Sequence, residues 1–220
     1  QGWLRSARAN GATLLLKAKL KMGESRGGRW IVETSGHRIS ARTIVNAAGA
    51  WADHVAALCG VARIGFQPMR RSMAVIPCPE GFDCRHWPLF DDVSEKWYAK
   101  PESGRLLISP AEEIPVDPHD AFVDDMVLAE GLDRYQQMVT VPVTHVERSW
   151  AGLRTFAPDR SPVAGFDSAA EGFFWLAGQG GYGMQTAPAL SALAGQLIRR
   201  AVIGDELAAI VPALSPERFR

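Results

Sequence analysis

The stretch FFWLAGQGGYGMQTAP, residues 173–188, decides how this chain is expected to fold. Its first five residues are apolar and predict a short buried strand, and four of the six residues from Gly178 to Gly183 are glycine. Apolar spacing then predicts a helix from about Ala187 to Ala201. A glycine-rich turn between a strand and a helix leaves the first N–H groups of the helix unpaired and open to a close ligand. We therefore predict that a flat or anionic cofactor lies at this turn.

The same turn also matches the glycine spacing of a dinucleotide-binding motif, but the sequence after the predicted helix does not complete that motif. Gly178, Gly180 and Gly183 fit G-x-G-x-x-G. That motif needs a second parallel strand that ends in an acidic residue about 20 residues further on. Pro212 and Pro216 interrupt the chain in this region, so no second strand is predicted and a pyrophosphate site is rejected. An ordinary glycine-rich connection is the alternative to a cofactor-binding turn.

Residues 44–59 predict a second strand, small-residue turn and helix. The chain opens with the predicted end of a helix over residues 1–11, and the helix of the second unit runs from Trp51 to about Cys59. Strands are predicted at Thr13–Met22, Trp30–Thr34 and His37–Asn46. If the two units share a sheet, both helix N-termini face one ligand at the carboxyl edge of that sheet.

The middle of the chain predicts a separate lobe. Its short strands are predicted at Ser72–Ile76, Lys96–Ala99, Arg105–Ser109 and Val143–Ser149. One or two helices are predicted within Ala121–Val139, with a buried stripe of Val123, Val127, Leu128, Leu132, Tyr135 and Met138. The expected fold is α+β or α/β with two lobes. Residues 1–62 and 151–220 form the cofactor lobe, and residues 63–150 form an antiparallel-sheet substrate lobe with a helix.

Composition narrows the partners and the compartment. The chain has 24 basic and 24 acidic side chains, so no overall field favours nucleic acid or a membrane surface. No apolar run approaches the length of a membrane span, and no signal peptide opens the sequence. The three cysteines cannot all pair, which is typical of a reducing compartment. We expect a cytoplasmic protein without a membrane span or nucleic-acid partner.

Among the side chains that could carry chemistry, one arginine is the strongest candidate for binding a substrate. Cys78, Cys84 and His86 do not have the usual zinc spacing, and no serine triad motif is present, so no metal site and no catalytic acid or base is predicted. Arg154 lies among apolar residues at the junction of the two lobes. Its planar guanidinium suits bidentate binding of a carboxylate. An ion pair of Arg154 with Asp159 or Glu147 is the alternative.

Three ordered motifs resemble the D-amino-acid oxidase superfamily of FAD-dependent amine oxidoreductases, which includes glycine and sarcosine oxidases and D-amino-acid dehydrogenases. The motifs are VNAAGAWAD at residues 45–53, then GLR at 152–154 followed by PDRSPVAG at 158–165, and LAGQGGYGMQTAP at 176–188. The resemblance covers close to the whole chain and is weakest in the insert. It implies hydride transfer from the α-carbon of a neutral amino acid or other amine to flavin N5.

The resemblance also assigns site residues. Leu20 would meet the adenine, the small residues before Trp51 would line FAD, and the glycine loop would lie along the flavin, with its helix aimed at N1/O2 and capped by Thr186. The expected FAD-binding residues are Leu20, Ala47, Ala48, Gly49, Trp51, Gly178, Gly180, Gly181, Tyr182, Gly183, Met184, Gln185 and Thr186. The expected substrate-binding residues are Arg154, Tyr98 and Tyr182, while Trp97 is either pocket wall or core. FAD is expected to bind noncovalently, because no cysteine lies between the second motif and the glycine loop.

One feature of the family is missing from the sequence. No dinucleotide-binding strand, glycine turn and helix lie before Trp3. The chain is therefore expected to be a C-terminal piece, or to need a partner chain that supplies this segment. Alone it is expected to bind FAD weakly or not at all, with an exposed edge at Thr13–Met22 or Phe173–Leu176 that favours association, possible homo-oligomers included. Two alternatives stay open: a flavin enzyme for a hydroxyl-bearing substrate such as glycerol phosphate or a 2-hydroxy acid, and a truncated, non-catalytic interaction module.

Overall fold

The chain folds into three β-sheets and six α-helices in a computed structural model, which describes residues 2–220. The helices are α1 (Gly2–Ala9), α2 (Ala52–Leu58), α3 (Asp125–Gln136), α4 (Gly183–Arg199), α5 (Asp205–Ala208) and α6 (Val211–Leu214). The strands are β1 (Leu20–Arg26), β2 (Arg29–Thr34), β3 (Arg38–Ala41), β4 (Ile44–Asn46), β5 (Gln67–Pro77), β6 (Phe90–Asp91), β7 (Tyr98–Glu102), β8 (Arg105–Ser109), β9 (Ile114–Pro115), β10 (Arg148–Phe156), β11 (Val163–Phe166) and β12 (Phe173–Ala177). The mixed α and β fold is confirmed.

A small sheet of order β11-β12-β4 joins the two predicted strand–turn–helix units. Strand β12 runs parallel to β4, with Phe173 opposite Ile44 and Trp175 opposite Asn46. The turns that follow β4 and β12 therefore lie side by side at the carboxyl ends of these strands. The predicted exposed edge at Phe173–Leu176 is wrong, because β12 is the central strand, paired with β11 on one side and with β4 on the other.

The N-terminal hairpins differ from the predicted strands in two places. Residues 13–19 form no strand, because the backbone turns at Lys17, whose φ is +54°, and the apolar side chains of Leu14 and Leu16 stay exposed. The predicted strand at 37–46 is divided into two strands. Its first part, β3, pairs with β2, and its second part, β4, crosses into the sheet with β12.

The six-stranded sheet has the order β10-β5-β8-β7-β6, with β9 also paired to β5. Its antiparallel registers place Ala74, Ile108 and Ala99 on one face, where Ile108 and Ala99 pack in a cluster with Tyr135 of α3. Strand alternation places the neighbouring side chains on the opposite face of this sheet. Strand β10 begins later than predicted and continues to Phe156, where it is still paired with β5.

Helix α3 confirms part of the predicted stripe. The helix is a single element, and Leu128 and Tyr135 are buried on it. Asp124 caps it by accepting hydrogen bonds from the N–H groups of Met126 and Val127. Met138 lies beyond the end of the helix and is exposed, so its predicted burial is wrong.

Candidate active site

The glycine loop, residues 178–182, docks on the end of strand β10. The N–H of Gly180 donates to the carbonyl of Thr155 at 2.9 Å. The side chains before and after Thr155 point to the same face because they are two residues apart, and each meets the loop: Arg154 lies at Gly181, and the ring of Phe156 lies at Gly180. The last residues of β10 therefore join the six-stranded sheet to the glycine loop.

Side chains of the protein closely approach three glycines of the loop. A Cβ on Gly178 would lie 2.9 Å from the ring of Phe66, and a Cβ on Gly180 would overlap the ring of Phe156. A Cβ on Gly181 would lie 3.0 Å from Nη1 of Arg154. Gly178 and Gly180 also have positive φ angles of +76° and +54°, which disfavour other residues. We predicted that a close ligand requires these glycines, but at Gly178 and Gly180 the protein's own aromatic rings already require them. At Gly181 the contact is the end of the flexible Arg154 side chain, which can move.

Helix α4 begins at Gly183, four residues before the predicted start at Ala187. Its first α-helical hydrogen bond runs from the Thr186 N–H to the Tyr182 carbonyl, so the N–H groups just before it have no acceptor within the helix. The predicted capping role of Thr186 is wrong: its hydroxyl donates back to the Tyr182 carbonyl at 2.9 Å. Tyr182 occupies the N-cap position without a side-chain cap.

The turn after β4 lies at the same sheet edge and is organised by Asn46. The buried amide of Asn46 donates to the Ala52 carbonyl at 2.8 Å, and its oxygen accepts from the Ala48 N–H at 3.4 Å. These bonds fold residues 47–51 into a tight turn. No atom lies within 4 Å of a Cβ built on Gly49, and the side chain of Trp51 is exposed. Backbone at this turn is therefore open to a ligand.

Arg154 reaches towards the loop from β10 and is hydrogen-bonded to Tyr98. The distance from its Nη2 to the Tyr98 hydroxyl is 3.3 Å. The ion-pair alternative is not formed, because Asp159 pairs with Arg218 and Glu147 pairs with Arg105. Within residues 2–220, Arg154 has no acidic side chain at salt-bridge distance. A guanidinium without a counter-charge faces the loop.

Arg71 is a site residue that the sequence argument missed. Gly152 lies opposite Arg71 and Met69 opposite Arg154, so both guanidiniums lie on one face of the β5–β10 pair. The Arg71 side chain is only 13% exposed, its guanidinium lies 6.0 Å from the Tyr98 ring centroid, and its Nε has no hydrogen-bond partner among the described residues. Burial, followed by the positive charge of Arg154, lowers the pKa of Arg71. Arg71 also lies 3.3 Å from Glu113, and an anion placed beside Arg71 and Arg154 would reduce the repulsion between their charges.

The remaining predicted site residues lie in different surroundings. Of the two neighbouring aromatic residues, Trp97 is buried with Tyr135 in the core, while Tyr98 is hydrogen-bonded to Arg154. Met184 is 94% exposed at the start of α4, and Tyr182 is also exposed. Leu20 packs against the core around Trp30.

No metal cluster competes with this site in the part of the chain that the structure describes. Residues 2–220 contain no group of three His, Cys, Asp or Glu side chains placed to hold an ion. Cys78 instead accepts a hydrogen bond from the Cys84 N–H at 3.1 Å. None of the helices described in these residues combines the length and hydropathy that a bilayer crossing requires.

Known proteins share this sequence pattern and fold. Residues 1–197 match the family described as FAD dependent oxidoreductase (DAO). The chain belongs to this family. It is 29% identical over 179 residues to FAD-dependent oxidoreductase domain-containing protein 1 of Xenopus laevis, covering 70% of this chain and 34% of that protein. It is 28% identical over 230 residues to hydrogen cyanide synthase subunit HcnC of Pseudomonas aeruginosa, covering 99% and 51%. The chain thus spans about half or less of the length of these relatives.

A solved glycine oxidase has the same fold. Glycine oxidase from Geobacillus kaustophilus superposes with a TM-score of 0.76 at 24% identity, over 93% of this chain and 54% of that one. At this identity the likeness shows the fold alone.

FAD is the cofactor of the family, and the donors at the sheet edge fit its flavin. Reduction places negative charge on the N1–C2=O edge of a flavin, which favours unpaired N–H donors and the positive end of a helix dipole. Helix α4 is 17 residues long and presents such N–H groups from Gly183, Met184 and Gln185. The open turn at Gly49 gives a second backbone surface at the same edge. The residues present therefore fit the cofactor.

Proposed function

We propose that this chain is the C-terminal part of an FAD-dependent oxidoreductase that oxidises the C–N bond of an amino acid or related amine. The observation that carries the proposal is the Arg154 guanidinium, which lies against the glycine loop without an acidic partner in residues 2–220 and is hydrogen-bonded only to Tyr98. A carboxylate accepts two parallel hydrogen bonds from such a group. The name of glycine oxidase, a structure of the same fold, is in keeping with an amino-acid substrate.

Charge around the site favours a carboxylate over a phosphate. Arg71 and Arg160 both pair with Glu113, and the charge of Glu112 also acts on Arg71. Arg154 has no acidic partner among the described residues, so three guanidiniums stand against two carboxylates. One positive charge is left in excess, which a single carboxylate neutralises. A phosphate ester carries close to two negative charges at neutral pH and would leave the site negative. Glycerol phosphate is therefore the weaker candidate, while 2-hydroxy acids share the carboxylate and are separated by experiment.

The residues of this chain would bind and orient the substrate and exclude water from it. FAD, when bound, supplies the chemistry by accepting a hydride from the α-carbon of the substrate. Arg154, with Tyr98 and Arg71, would hold the carboxylate so that the α-carbon faces the loop, and Tyr182 would close the open side. The N–H groups at the start of α4 would stabilise negative charge on the flavin. No acid or base is needed when the substrate amine is neutral.

The same roles define the FAD contacts. The proposed cofactor surface consists of the loop from Gly178 to Tyr182, the first turn of α4, and the turn from Ala47 to Trp51, with Leu20 nearer the adenine. The chain alone is expected to hold FAD weakly, because the residues that bind the pyrophosphate in this family are not among its motifs. Stoichiometric, tightly bound FAD in the isolated chain would contradict this expectation.

The first experiment is the visible spectrum of the purified chain, before and after incubation with FAD and desalting. With FAD in excess, D-alanine, glycine, D-lactate and glycerol 3-phosphate are then compared as substrates by bleaching of the flavin. Bleaching by amino acids alone supports the proposal, and bleaching by D-lactate or glycerol phosphate alone refutes it. No flavin retained after desalting is the expected result for the chain alone. No bleaching by any substrate, even with FAD in excess, would favour the non-catalytic alternative.

Arg154→Ala tests the carboxylate site, with Arg105→Ala as the matched control, since Arg105 pairs with Glu147 on the same sheet. Loss of a charged hydrogen bond is worth about 1.5–3 kcal/mol, or roughly 10- to 100-fold in affinity. The KM for an amino acid should rise by that factor in Arg154→Ala only. An unchanged KM would remove Arg154 from the site.

A further inference from the structure

Glu113 joins two guanidiniums that belong to different parts of the site. Nη2 of Arg160 donates to both carboxylate oxygens of Glu113, at 3.0 and 2.8 Å, and Nη2 of Arg71 lies 3.3 Å from Oε1. Glu113 precedes β9, Arg71 lies on β5, and Arg160 lies in the turn between β10 and β11. One carboxylate thus connects three segments of the chain.

Arg160 carries this connection to the glycine loop. Its guanidinium lies 4.0 Å from the ring centroid of Phe156, and the same ring fills the space where Gly180 lacks a side chain. The backbone of Arg160 has a φ of +64°, a conformation that arginine rarely adopts. A strained residue persists where its surroundings hold it. Here the ion pair on one side and the aromatic ring on the other hold Arg160.

We propose that Glu113 is a positioning residue that sets the Arg71 guanidinium and the glycine loop relative to each other. Through Arg71 it acts on the proposed carboxylate site, and through Arg160 and Phe156 it acts on Gly180. This inference rests on the proposed function only for the identity of the bound acid group. The link between Glu113 and the loop is a property of the chain by itself.

An ordinary surface ion pair would behave differently. The side chains of Glu113 and Arg160 are 34% and 51% exposed. Pairs with this exposure contribute little to folding stability. A purely structural pair would therefore change neither the loop nor the anion site when it is removed. A positioning residue would change both while the melting temperature stays nearly constant.

The first test measures deuterium exchange of the Gly180 amide, which is bonded to Thr155, in the full chain. Glu113→Gln removes the charge, and Glu147→Gln is the matched control, since Glu147 pairs with Arg105 at similar exposure, 29% and 51%. Exchange in the segment around Gly180 should be about tenfold faster in Glu113→Gln and unchanged in the control. Equal exchange in Glu113→Gln and the unaltered chain would overturn the proposal, as would equal acceleration by the control.

The second test measures benzoate binding by calorimetry. Glu113→Gln should weaken it about tenfold, because a small displacement of the guanidinium is costly for a bound carboxylate. Glu113→Asp, which keeps the charge, should recover most of the affinity. Unchanged benzoate affinity in Glu113→Gln would overturn the proposal. If the unaltered chain binds no benzoate, the proposed carboxylate site fails, and amide exchange alone decides whether Glu113 positions the loop.

Arg160→Gly separates the ion pair from the backbone strain. Glycine adopts a positive φ freely, so this variant keeps the turn and removes the guanidinium. Faster exchange at Gly180 is expected in Arg160→Gly as in Glu113→Gln. Exchange at the rate of the unaltered chain would show that Phe156 holds the loop without Arg160, and would overturn the proposed link.

Discussion

Replacing Gly181 with alanine should damage anion binding while leaving the fold intact. The added Cβ would lie 3.0 Å from Nη1, 3.2 Å from Cζ and 3.4 Å from Nε of Arg154. Carbon contacts are normally about 3.5–4.0 Å, so the guanidinium has to move by about 0.5 Å. Its hydrogen bond to Tyr98 is already 3.3 Å, near the upper limit for N–H···O bonds. The substitution therefore moves the guanidinium out of its present position.

The expected magnitudes differ for binding and stability. Gly181 is exposed and has a negative φ, and the group it meets is the end of a flexible side chain. The free energy of unfolding of Gly181→Ala should therefore lie within about 0.5 kcal/mol of that of the unaltered chain. A misplaced charged hydrogen bond costs about 1.5–3 kcal/mol, which is roughly 10- to 100-fold in benzoate affinity. Gly180→Ala is the contrast, because it combines a positive φ with overlap onto a buried ring. It should lose about 2–5 kcal/mol of stability.

Urea unfolding and calorimetric titration with benzoate measure the two effects separately. Gly36→Ala is the control, since no atom lies within 4 Å of a Cβ there. The reasoning is refuted if Gly181→Ala binds benzoate as tightly as the control. It is equally refuted if Gly181→Ala loses as much stability as Gly180→Ala, since the loop would then depend on that glycine for folding.

Three further predictions concern the rest of the chain. Hydrogen bonds from Arg218 hold the pKa of Asp159 below its ordinary value. The stability from this pair is therefore present above about pH 4 and is lost as the pH falls through the lower folded pKa. Because Asp159 is 41% exposed, Asp159→Asn should reduce the acid-dependent loss in the free energy of unfolding, measured with urea, by less than about 1 kcal/mol. Burial raises the pKa of the Cys59 thiol to about 11, so iodoacetamide at pH 8 should label half-buried Cys78 well before Cys59 in the native chain, and both alike in urea. Trp175 is fully buried in the small sheet, and Trp175→Ala should cost about 3–5 kcal/mol in urea unfolding, whereas a loss below about 1 kcal/mol would contradict its place in the core.

Local sequence patterns predicted most of the strands and helices but not which strands pair with one another. The apolar run before Gly178 and the small residues after Asn46 were sufficient to predict two similar units, and the structure pairs them in parallel. The division of residues 37–46 was not predictable from periodicity, since both halves read as strand and only the pairing partner differs. The start of α4 was placed too late because glycine disfavours helix interiors, although it is tolerated in the first turn.

Arg71 shows why part of the site was missed. Arg154 stands out in sequence because it is the single charge in an apolar stretch between lobes. Arg71 follows another arginine in a strand, and nothing local indicates which of the two faces the site. That distinction depends on the register of β5 against β10, which puts Gly152 opposite Arg71 and leaves room above its side chain. Register is a tertiary property, fixed by packing across the whole sheet.

Strand β10 connects the six-stranded sheet to the glycine loop. Its side chains at Arg154 and Phe156 contact neighbouring glycines of the loop, and its backbone at Thr155 bonds to Gly180. The same strand is paired with β5 from Arg148 to Phe156, so it is held by the sheet that carries Arg71. Any displacement of the sheet relative to the loop must therefore change the guanidinium position, the aromatic contact and the backbone bond together. Because all three contacts arise within three consecutive residues, one strand end sets the geometry between the Arg71 and Arg154 guanidiniums and the glycine loop.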